Sequence, residues 1–176
     1  MSRILLGVSA GIAAYKSADL ASKLTQRGDE VRTILTPHAL KFITPLTFQA
    51  VTQQPVYTDT FEDDPSYRPD HISLPEWADV VVISPATADL IGRAASGLGD
   101  NLLAVTLLAC QQPVLFAPAM NDRMWENQIV QRNVSTLREV GYHIIEPESG
   151  HLACGSVGPG RLADTSTILK AIDDVL

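Results

Sequence analysis

The most constraining feature of the sequence is a run of four β-branched residues at positions 80–83 (VVVI), uninterrupted by any polar residue. A strand that faces water on one side alternates apolar and polar residues, whereas a strand buried on both faces reads as a continuous apolar run. Short apolar segments also lie at 3–8, 30–35 and 114–117, and segments with helical spacing separate them. Strands that alternate with helices in this way predict right-handed βαβ crossovers in a mostly parallel sheet.

We therefore predict one α/β domain over residues 1–176, doubly wound and Rossmann-like or flavodoxin-like, with helices on both faces of the sheet. A chain of 176 residues is long enough for one such domain with an ordinary core. The predicted strands are 3–8, 30–35, 55–58, 80–84, 114–117 and, as the last strand, 142–146. The predicted helices are 12–27, one that opens at 36–38, 88–96, 101–109, 127–140 and 165–176.

Two stretches, 59–75 and 146–163, fit no predicted helix or strand, and both contain several prolines or glycines. Loops this long in a compact α/β domain are usually functional or disordered. Open parallel sheets bind ligands outside the carboxyl ends of their strands, at the point where the strand order reverses. We therefore expect a ligand at that edge of the sheet.

The composition excludes several classes of protein. The chain is 45% hydrophobic and 19% charged, which excludes wholesale disorder. A formal net charge of −7 argues against a nucleic-acid partner and against a polybasic membrane anchor. No apolar run approaches the roughly 18 residues that a membrane span needs. Because the two cysteines, Cys110 and Cys154, also suit a reducing compartment, we expect a cytoplasmic protein.

The first predicted strand ends in a candidate phosphate site. Ser9, Ala10, Gly11 and Ile12 connect the strand to a helix through a glycine turn, which presents free backbone N–H groups to an anion. The segment lacks the G-x-G-x-x-G pattern of dinucleotide-binding folds, so we interpret it as a cradle for the phosphate of a mononucleotide. An ordinary tight turn between strand and helix is the alternative interpretation.

Five segments together resemble one family. They are residues 11–16 (GIAAYK), 71–74 (HISL), 85–89 (PATAD), 118–121 with 124–125 (PAMN and MW), and 153–155 with 158–162 (ACG and GPGRL). In this order they resemble the homo-oligomeric flavin-containing cysteine decarboxylases. Within that family they are most similar to the decarboxylase half of the bifunctional bacterial enzymes of coenzyme A biosynthesis. The other half of those enzymes, a phosphopantothenate–cysteine ligase, has no counterpart in this sequence. The chain is therefore either a stand-alone protein or one domain of a longer protein in which the ligase is a fused partner.

The resemblance implies FMN as the cofactor and 4′-phospho-N-pantothenoyl-L-cysteine as the substrate, which loses CO2 to give 4′-phosphopantetheine. Loss of CO2 from a carboxylate on a saturated carbon would leave an unstabilised carbanion. If FMN first oxidises the thiol to a thioaldehyde, the C=S group accepts the electron pair, and re-reduction of the enethiol returns the electrons. The FMN contacts that the resemblance implies are Ser9, Ala10, Gly11, Ile12, Thr36, His38, Ser84, Thr87, Ala88, Asp89, Ala119 and Met120.

The resemblance also implies roles for single residues. His71 would be the active-site base that assists thiol oxidation, which suits a group that titrates near neutrality. Asn121 would bind the substrate carboxylate without a positive charge that stabilises the ground state. Cys154 would be the acid that protonates the enethiolate, and Ala153 and Arg161 would contact the substrate, Arg161 at its phosphate.

Trimers or dodecamers with FMN at the boundary between copies are a further implication of the resemblance. Two other functions stay open. A catalytically idle flavin-binding regulatory protein is disfavoured by the joint presence of His71, Asn121 and Cys154. A flavin prenyltransferase is disfavoured because we find no arginines and glutamate grouped for a prenyl phosphate. We predict no metal site.

Overall fold

A computed structural model describes residues 1–60 and 69–176, so residues 61–68 of the predicted loop at 59–75 lie outside the described residues. The strands are β1 (Arg3–Val8), β2 (Glu30–Leu35), β3 (Val56–Tyr57), β4 (Val80–Ala86), β5 (Val114–Pro118), β6 (His143–Ile144), β7 (Glu148–His151) and β8 (Val157–Arg161). The first six form a parallel sheet in the order β3-β2-β1-β4-β5-β6. β7 and β8 form a separate antiparallel hairpin.

Helices cover both faces of the parallel sheet. They are α1 (Ala14–Gln26), α2 (Pro45–Thr52), α3 (Asp70–Trp77), α4 (Ala88–Ser96), α5 (Leu102–Ala109), α6 (Asp122–Trp125), α7 (Gln128–Glu139) and α8 (Thr165–Asp173). Because successive side chains of a strand point to opposite faces, Ile4 and Leu6 pack in one core cluster with α1 and α8, whereas Leu5 packs in the other with α5 and α7. The prediction of a doubly wound α/β architecture, Rossmann-like or flavodoxin-like, is confirmed, and the strand order is that of the Rossmann fold.

The apolar run at 80–83 lies in β4, between β1 and β5, and every residue of β4 is buried. A central strand covered by helices on both faces has no solvent-facing side, which explains the lack of alternation. None of the helices in the described part of the chain is long and apolar enough to cross a lipid bilayer.

The predicted loop at 59–75 is wrong at its C-terminal end. Residues Asp70–Trp77 form α3, so His71 is the second residue of a helix rather than part of a loop. The prolines led to the error, because proline usually breaks helices. Here Pro69 lies at the N-cap, outside the helix, and Pro75 lies near its end, where it costs one backbone hydrogen bond.

The predicted loop at 146–163 is also wrong, as is the prediction that 142–146 is the last strand. β6 is only two residues long, and the hairpin of β7 and β8 follows it. Glycine and proline are unfavourable in strands, so the sequence of β8 (VGPGR) conceals a strand. Gly160 has φ +117° within it, a conformation that a glycine adopts readily.

Two smaller differences concern helix starts. Residues 36–38 open a short 3₁₀ turn (Ala39–Lys41) rather than a long helix, and α2 follows separately. The one-turn helix α6 was not predicted. The other predicted helices agree with the structure to within a few residues.

Candidate functional site

A cavity of about 710 Å³ lies at the carboxyl ends of β1, β4 and β5, and the hairpin of β7 and β8 forms one of its walls. This is the edge of the sheet at which the sequence predicts a ligand, and the volume suits a small-molecule or cofactor site. The predicted site residues that line the cavity are Ala10, Gly11, Ile12, Thr87, Ala88, Ala119, Met120, Asn121, Ala153, Cys154 and Arg161.

Ser9 connects the ends of β1 and β4. Its hydroxyl donates to the carbonyl of Pro85 at 2.7 Å and accepts from the backbone N–H of Thr87 at 3.0 Å. The residue is buried, so water cannot replace either bond. Ser9 does not line the cavity itself; it fixes the position of Pro85 and Thr87, which do.

The turn after Ser9 has the geometry of an anion cradle. Gly11 has φ +147°, where a residue with a side chain would be strained. Within residues 1–60 and 69–176, no acceptor is hydrogen-bonded to the backbone N–H groups of Ala10, Gly11 or Ile12. Lys16, in the first turn of α1, lines the same cavity. Backbone donors at a helix start beside a lysine suit a phosphate group.

Five predicted cofactor contacts do not line the cavity: Ser9, which supports it, Asp89, which lies on α4, and Ser84, Thr36 and His38. Ser84 is buried, its carbonyl accepts from the hydroxyl of Ser17, and its own hydroxyl has no hydrogen-bond partner among the described residues. Thr36 accepts from the backbone N–H of Ala39 at 3.3 Å and so caps the 3₁₀ turn. His38 is exposed at the N-cap of that turn.

Asp89 does not line the cavity, unlike Thr87 and Ala88 in the same segment. Its carboxylate pairs with the guanidinium of Arg93 at 2.8 Å, and 68% of its side chain is exposed. Thr87 instead caps α4, because its hydroxyl accepts from the backbone N–H of Leu90 at 3.3 Å. Thr87 and Ala88 therefore line the cavity, and Asp89 lies on the exposed surface of α4.

The loop after β5 connects the sheet to the hairpin. The backbone N–H of Ala119 donates to the carbonyl of Ala86 at 3.0 Å, which extends the pairing of β5 with β4. The next N–H, that of Met120, donates to the carbonyl of Gly160 in β8 at 2.9 Å. The loop and the hairpin therefore form one continuous wall of the cavity.

Asn121 and Cys154 meet in this wall. The side-chain Nδ2 of Asn121 donates to Sγ of Cys154 at 2.9 Å. The Oδ1 atom of the same amide accepts from the backbone N–H of Arg123 at 2.9 Å, as the N-cap of α6. Because an amide nitrogen carries two hydrogens, Asn121 keeps one N–H for a ligand in the cavity.

The two cysteines have opposite environments. Cys154 is exposed in the turn of the hairpin, where the side chain and backbone of Ser156, and then the amide of Asn121, lower the pKa of its thiol by hydrogen bonding to the thiolate. The Ser156 hydroxyl lies 3.2 Å from Sγ and also donates to Oδ1 of Asp122 at 3.2 Å. Burial instead raises the pKa of the Cys110 thiol to about 12. Of the two thiols, Cys154 is the one whose surroundings favour the thiolate.

Arg161 lines the cavity from β8, and its guanidinium pairs with Glu148 at 3.3 Å and with Asp164 at 3.1 Å. Its Nε is buried and has no partner among the described residues. Ala153, which precedes Cys154, lines the cavity at the hairpin turn.

His71 does not line this cavity. It lies at the start of α3, and the next residue, Ile72, contributes with Glu76 and Leu108 to a different concavity between α3 and α5. The structure of one chain therefore brings Asn121 and Cys154 together but does not bring His71 to them.

Several lining residues had no predicted role. Tyr15, Lys16 and His151 line the cavity, and Asp122 and Ser156 are hydrogen-bonded beside Cys154. A signal existed for Lys16, because it falls in the first turn of the helix that follows the glycine turn. No comparable signal marked His151 or Ser156, since both lie in a stretch predicted to be a loop.

The residues that line the cavity have the chemistry that a bound flavin mononucleotide requires. The cradle at Gly11 and the charge of Lys16 suit a phosphate. The remaining lining is largely apolar and suits a planar ring. The apolar side chains that supply it include Ala10, Ile12, Ala88, Ala119, Met120 and Leu152.

Together, the fold and the cavity define a doubly wound α/β domain with a ligand site at the carboxyl edge of its sheet. The family model described as Flavoprotein matches residues 1–176. The chain therefore belongs to the Flavoprotein family, and the resemblance found in the sequence is confirmed. Membership makes a flavin the class of cofactor expected in the cavity.

Curated relatives are of two lengths. The coenzyme A biosynthesis bifunctional protein CoaBC of Bacillus subtilis (strain 168) is 48% identical over 167 residues, which is 95% of this chain and 41% of that protein. The chain thus spans less than half of the bifunctional relatives that it matches. A probable phosphopantothenoylcysteine decarboxylase of Streptococcus mutans is 43% identical over 176 residues, which is 99% of this chain and 98% of that protein.

Solved structures share the fold over nearly the whole chain. A PPC decarboxylase mutant complexed with pantothenoylaminoethenethiol superposes with a TM-score of 0.87 at 34% identity, covering 98% of this chain and 96% of that one. The FMN-dependent cysteine decarboxylase SpaF superposes with a TM-score of 0.83 at 37% identity, covering 98% of both chains.

Proposed function

We propose that this chain is an FMN-dependent decarboxylase that converts 4′-phospho-N-pantothenoyl-L-cysteine to 4′-phosphopantetheine in coenzyme A biosynthesis. The observation that carries the proposal is the 2.9 Å contact between Nδ2 of Asn121 and Sγ of Cys154 in the cavity wall. The contact brings together an uncharged amide that would bind the substrate carboxylate and a thiol that would donate a proton. The proposed reaction needs both groups. The name of the Streptococcus mutans relative, which covers the whole chain, supports the same reaction.

FMN is the proposed cofactor, with its phosphate at the cradle formed by Ala10, Gly11 and Ile12 and its ring against Ala88 and the loop after β5. When bound, FMN would supply two-electron oxidation of the substrate thiol and the return of those electrons to the enethiol. Ser9 would hold the cradle, because its hydroxyl fixes the neighbouring loop of β4.

Asn121 would orient the substrate through the N–H that the Cys154 contact leaves available. A neutral amide holds the carboxylate without the ground-state stabilisation that a cation would give, so loss of CO2 is not opposed. Cys154 would hold a proton beside the same substrate, and the hydrogen bonds that lower its thiol pKa would stabilise the thiolate left after proton transfer. Ala153 and Arg161 remain the proposed substrate contacts, with Lys16 as a second cation.

His71 would act as the base from a neighbouring copy of the chain. It does not line the cavity that holds Asn121 and Cys154. Apolar side chains on the rim support a subunit contact, since Ile12 is 61% and Tyr15 63% exposed. We therefore propose a homo-oligomer, either a trimer or a dodecamer built from four trimers, whose cavities lie where copies meet.

The substrate would come from a phosphopantothenate–cysteine ligase. The Bacillus subtilis relative is bifunctional, and this chain matches 41% of it. We propose that the ligase is a fused domain in a longer protein or a separate cytoplasmic enzyme.

Two measurements on purified protein test this function. The visible absorption spectrum should show flavin bands, and the flavin released by denaturation should be FMN. Incubation with 4′-phospho-N-pantothenoyl-L-cysteine should release CO2, and Asn121→Ala should keep the flavin and lose most of the CO2 release. A protein with bound FMN and no CO2 release would instead be a flavin-binding regulator, whereas a protein that takes up no FMN would refute the proposal.

A further inference from the structure

Four side chains form one hydrogen-bonded chain beside the cavity. The amide of Asn121 donates to Sγ of Cys154 at 2.9 Å, Sγ lies 3.2 Å from the hydroxyl of Ser156, and that hydroxyl donates to Oδ1 of Asp122 at 3.2 Å. The Ser156 hydroxyl is the middle of this chain and carries a single hydrogen. It can therefore donate to Asp122 or to Cys154, but not to both at once.

The protonation state of Cys154 decides between the two arrangements. An ionised Asp122 only accepts hydrogen bonds, so it holds the Ser156 hydrogen while Cys154 is a thiol, and the S–H donates to the serine oxygen. A thiolate also only accepts. Once Cys154 loses its proton, its S–H no longer donates to the serine oxygen, and an anionic sulfur lies 3.2 Å from that oxygen. If the Ser156 hydrogen stayed on Asp122, the lone pairs of the serine oxygen would face the thiolate, so the hydroxyl turns and donates to the sulfur.

We propose that Ser156 is a positioning residue that turns its single hydroxyl hydrogen from Asp122 to Cys154 when Cys154 gives up its proton. The inference rests on the proposed role of Cys154 as the acid. The S–H bond of Cys154 breaks as its proton forms a C–H bond at the enethiolate carbon that lost CO2, and the thiolate left on Cys154 accepts the hydrogen bond from Ser156. No covalent O–H bond of Ser156 breaks, and solvent water later returns a proton to the sulfur.

Packing holds the hairpin close enough for this exchange. A Cβ atom at Gly158 would lie 2.9 Å from Cβ of Asp122, so α6 and β8 approach as closely as a glycine allows. The other charged or titratable groups that line the same cavity come from separate elements. They are Lys16 on α1, His151 on β7 and Arg161 on β8, and all three line the cavity. These groups are unchanged in the test below.

The test measures the pKa of the Cys154 thiol in the purified holoprotein. The rate of alkylation by iodoacetamide is followed from acid to alkaline pH, and mass spectrometry separates Cys154 from Cys110. Ser156→Ala removes the donor to the thiolate, so we expect a higher thiol pKa and about threefold slower alkylation of Cys154 near neutral pH. Ser156→Thr keeps the hydroxyl and should restore the wild-type profile.

Asp122→Asn should shift the pKa of the Cys154 thiol in the opposite direction. It replaces the charged carboxylate by a neutral amide oxygen, which competes less strongly for the Ser156 hydrogen, so the Cys154 thiol pKa should fall and alkylation should be about threefold faster. Loss of the negative charge lowers the pKa as well. The double variant separates these causes, because only the charge effect survives without the hydroxyl.

We expect Asp122→Asn to change the alkylation rate clearly less in the Ser156→Ala background than in the wild type. An equal change in both backgrounds would overturn the exchange, as would a Ser156→Ala variant with the wild-type thiol pKa. Slow alkylation of Cys110 in every variant shows that the core is intact. The assay needs no substrate, so its outcome does not depend on whether the protein releases CO2.

Discussion

The backbone N–H of Met120 donates to the carbonyl of Gly160 at 2.9 Å, which joins the loop after β5 to the hairpin that carries Cys154. This approach requires glycine at position 160. A Cβ atom there would lie 2.4 Å from the carbonyl oxygen of Met120, and the residue has φ +117°. The contact between Asn121 and Cys154 therefore depends on a residue that has no functional group.

Gly160→Ala should destabilise the protein and displace the hairpin. Steric overlap with Met120 and an unfavourable φ together should cost about 2–5 kcal/mol in the free energy of unfolding. The matched control is Gly155→Ala, because Gly155 has φ +90° but no atom within 4 Å of its would-be Cβ. Chemical denaturation should show a loss of only about 1–2 kcal/mol for the control. Equal losses in both variants would mean that the Met120 contact is not close.

Ser9→Ala should weaken both the fold and flavin binding. It removes the acceptor of the Thr87 N–H and one of two donors to the Pro85 carbonyl, which keeps the backbone N–H of Ser9 at 3.2 Å, and this loss should cost about 1–3 kcal/mol. The FMN dissociation constant should rise because the loop after β4 loses its support. Ser22→Ala is the control: Ser22 bonds Gln26 on the exposed surface of α1, and its loss should stay within about 0.5 kcal/mol. An unchanged FMN dissociation constant in Ser9→Ala would show that Ser9 does not support the cofactor site.

The two thiols should react with alkylating reagents in a fixed order. Hydrogen bonds lower the pKa of the Cys154 thiol, whereas burial raises that of Cys110 to about 12. As pH rises, the thiolate of Cys154 should form first, so Cys154 should react near neutral pH while Cys110 stays protected until strongly alkaline pH or unfolding. Peptide mass spectrometry after brief treatment with iodoacetamide checks this. Faster labelling of Cys110 would contradict the assigned environments.

Mixed oligomers test whether one site takes residues from two copies. His71→Asn and Cys154→Ser should each bind FMN and each fail to form 4′-phosphopantetheine; Cys154→Ser should stop at the oxidised enethiol. Co-expressed at equal levels, the variants should regain about one quarter of wild-type activity, since about one quarter of shared sites would have both native side chains. No recovery in verified mixed oligomers would place His71 and Cys154 in the site of a single chain.

The sheet and its binding edge could be predicted because local sequence determines them. The apolar run at 80–83 specifies a strand buried on both faces, and the glycine turn at Gly11 follows the first strand directly. Parallel strands bring their carboxyl ends to one edge whatever the details of the helices. Thr87 and Asn121 follow the predicted strands 80–84 and 114–117, and both line the cavity at that edge.

The hairpin and the start of α3 could not be predicted, because tertiary packing overrides local preference there. β8 has the sequence VGPGR, and its glycines permit close approach to Asp122 and Met120 rather than marking a loop. Pro69 and Pro75 hide α3 in the same way, since the helix accommodates one proline outside its first residue and one near its end. The partners of Ser156 depend on that packing, so no sequence pattern could reveal them.

The most direct test of the account is the mass of the product formed by the purified protein from 4′-phospho-N-pantothenoyl-L-cysteine without oxygen. Because electrons taken from the thiol return to the enethiol, the account predicts repeated turnover to 4′-phosphopantetheine, lighter than the substrate by one CO2, with no external oxidant. Unchanged substrate, or a single turnover that ends at an oxidised product, would contradict it.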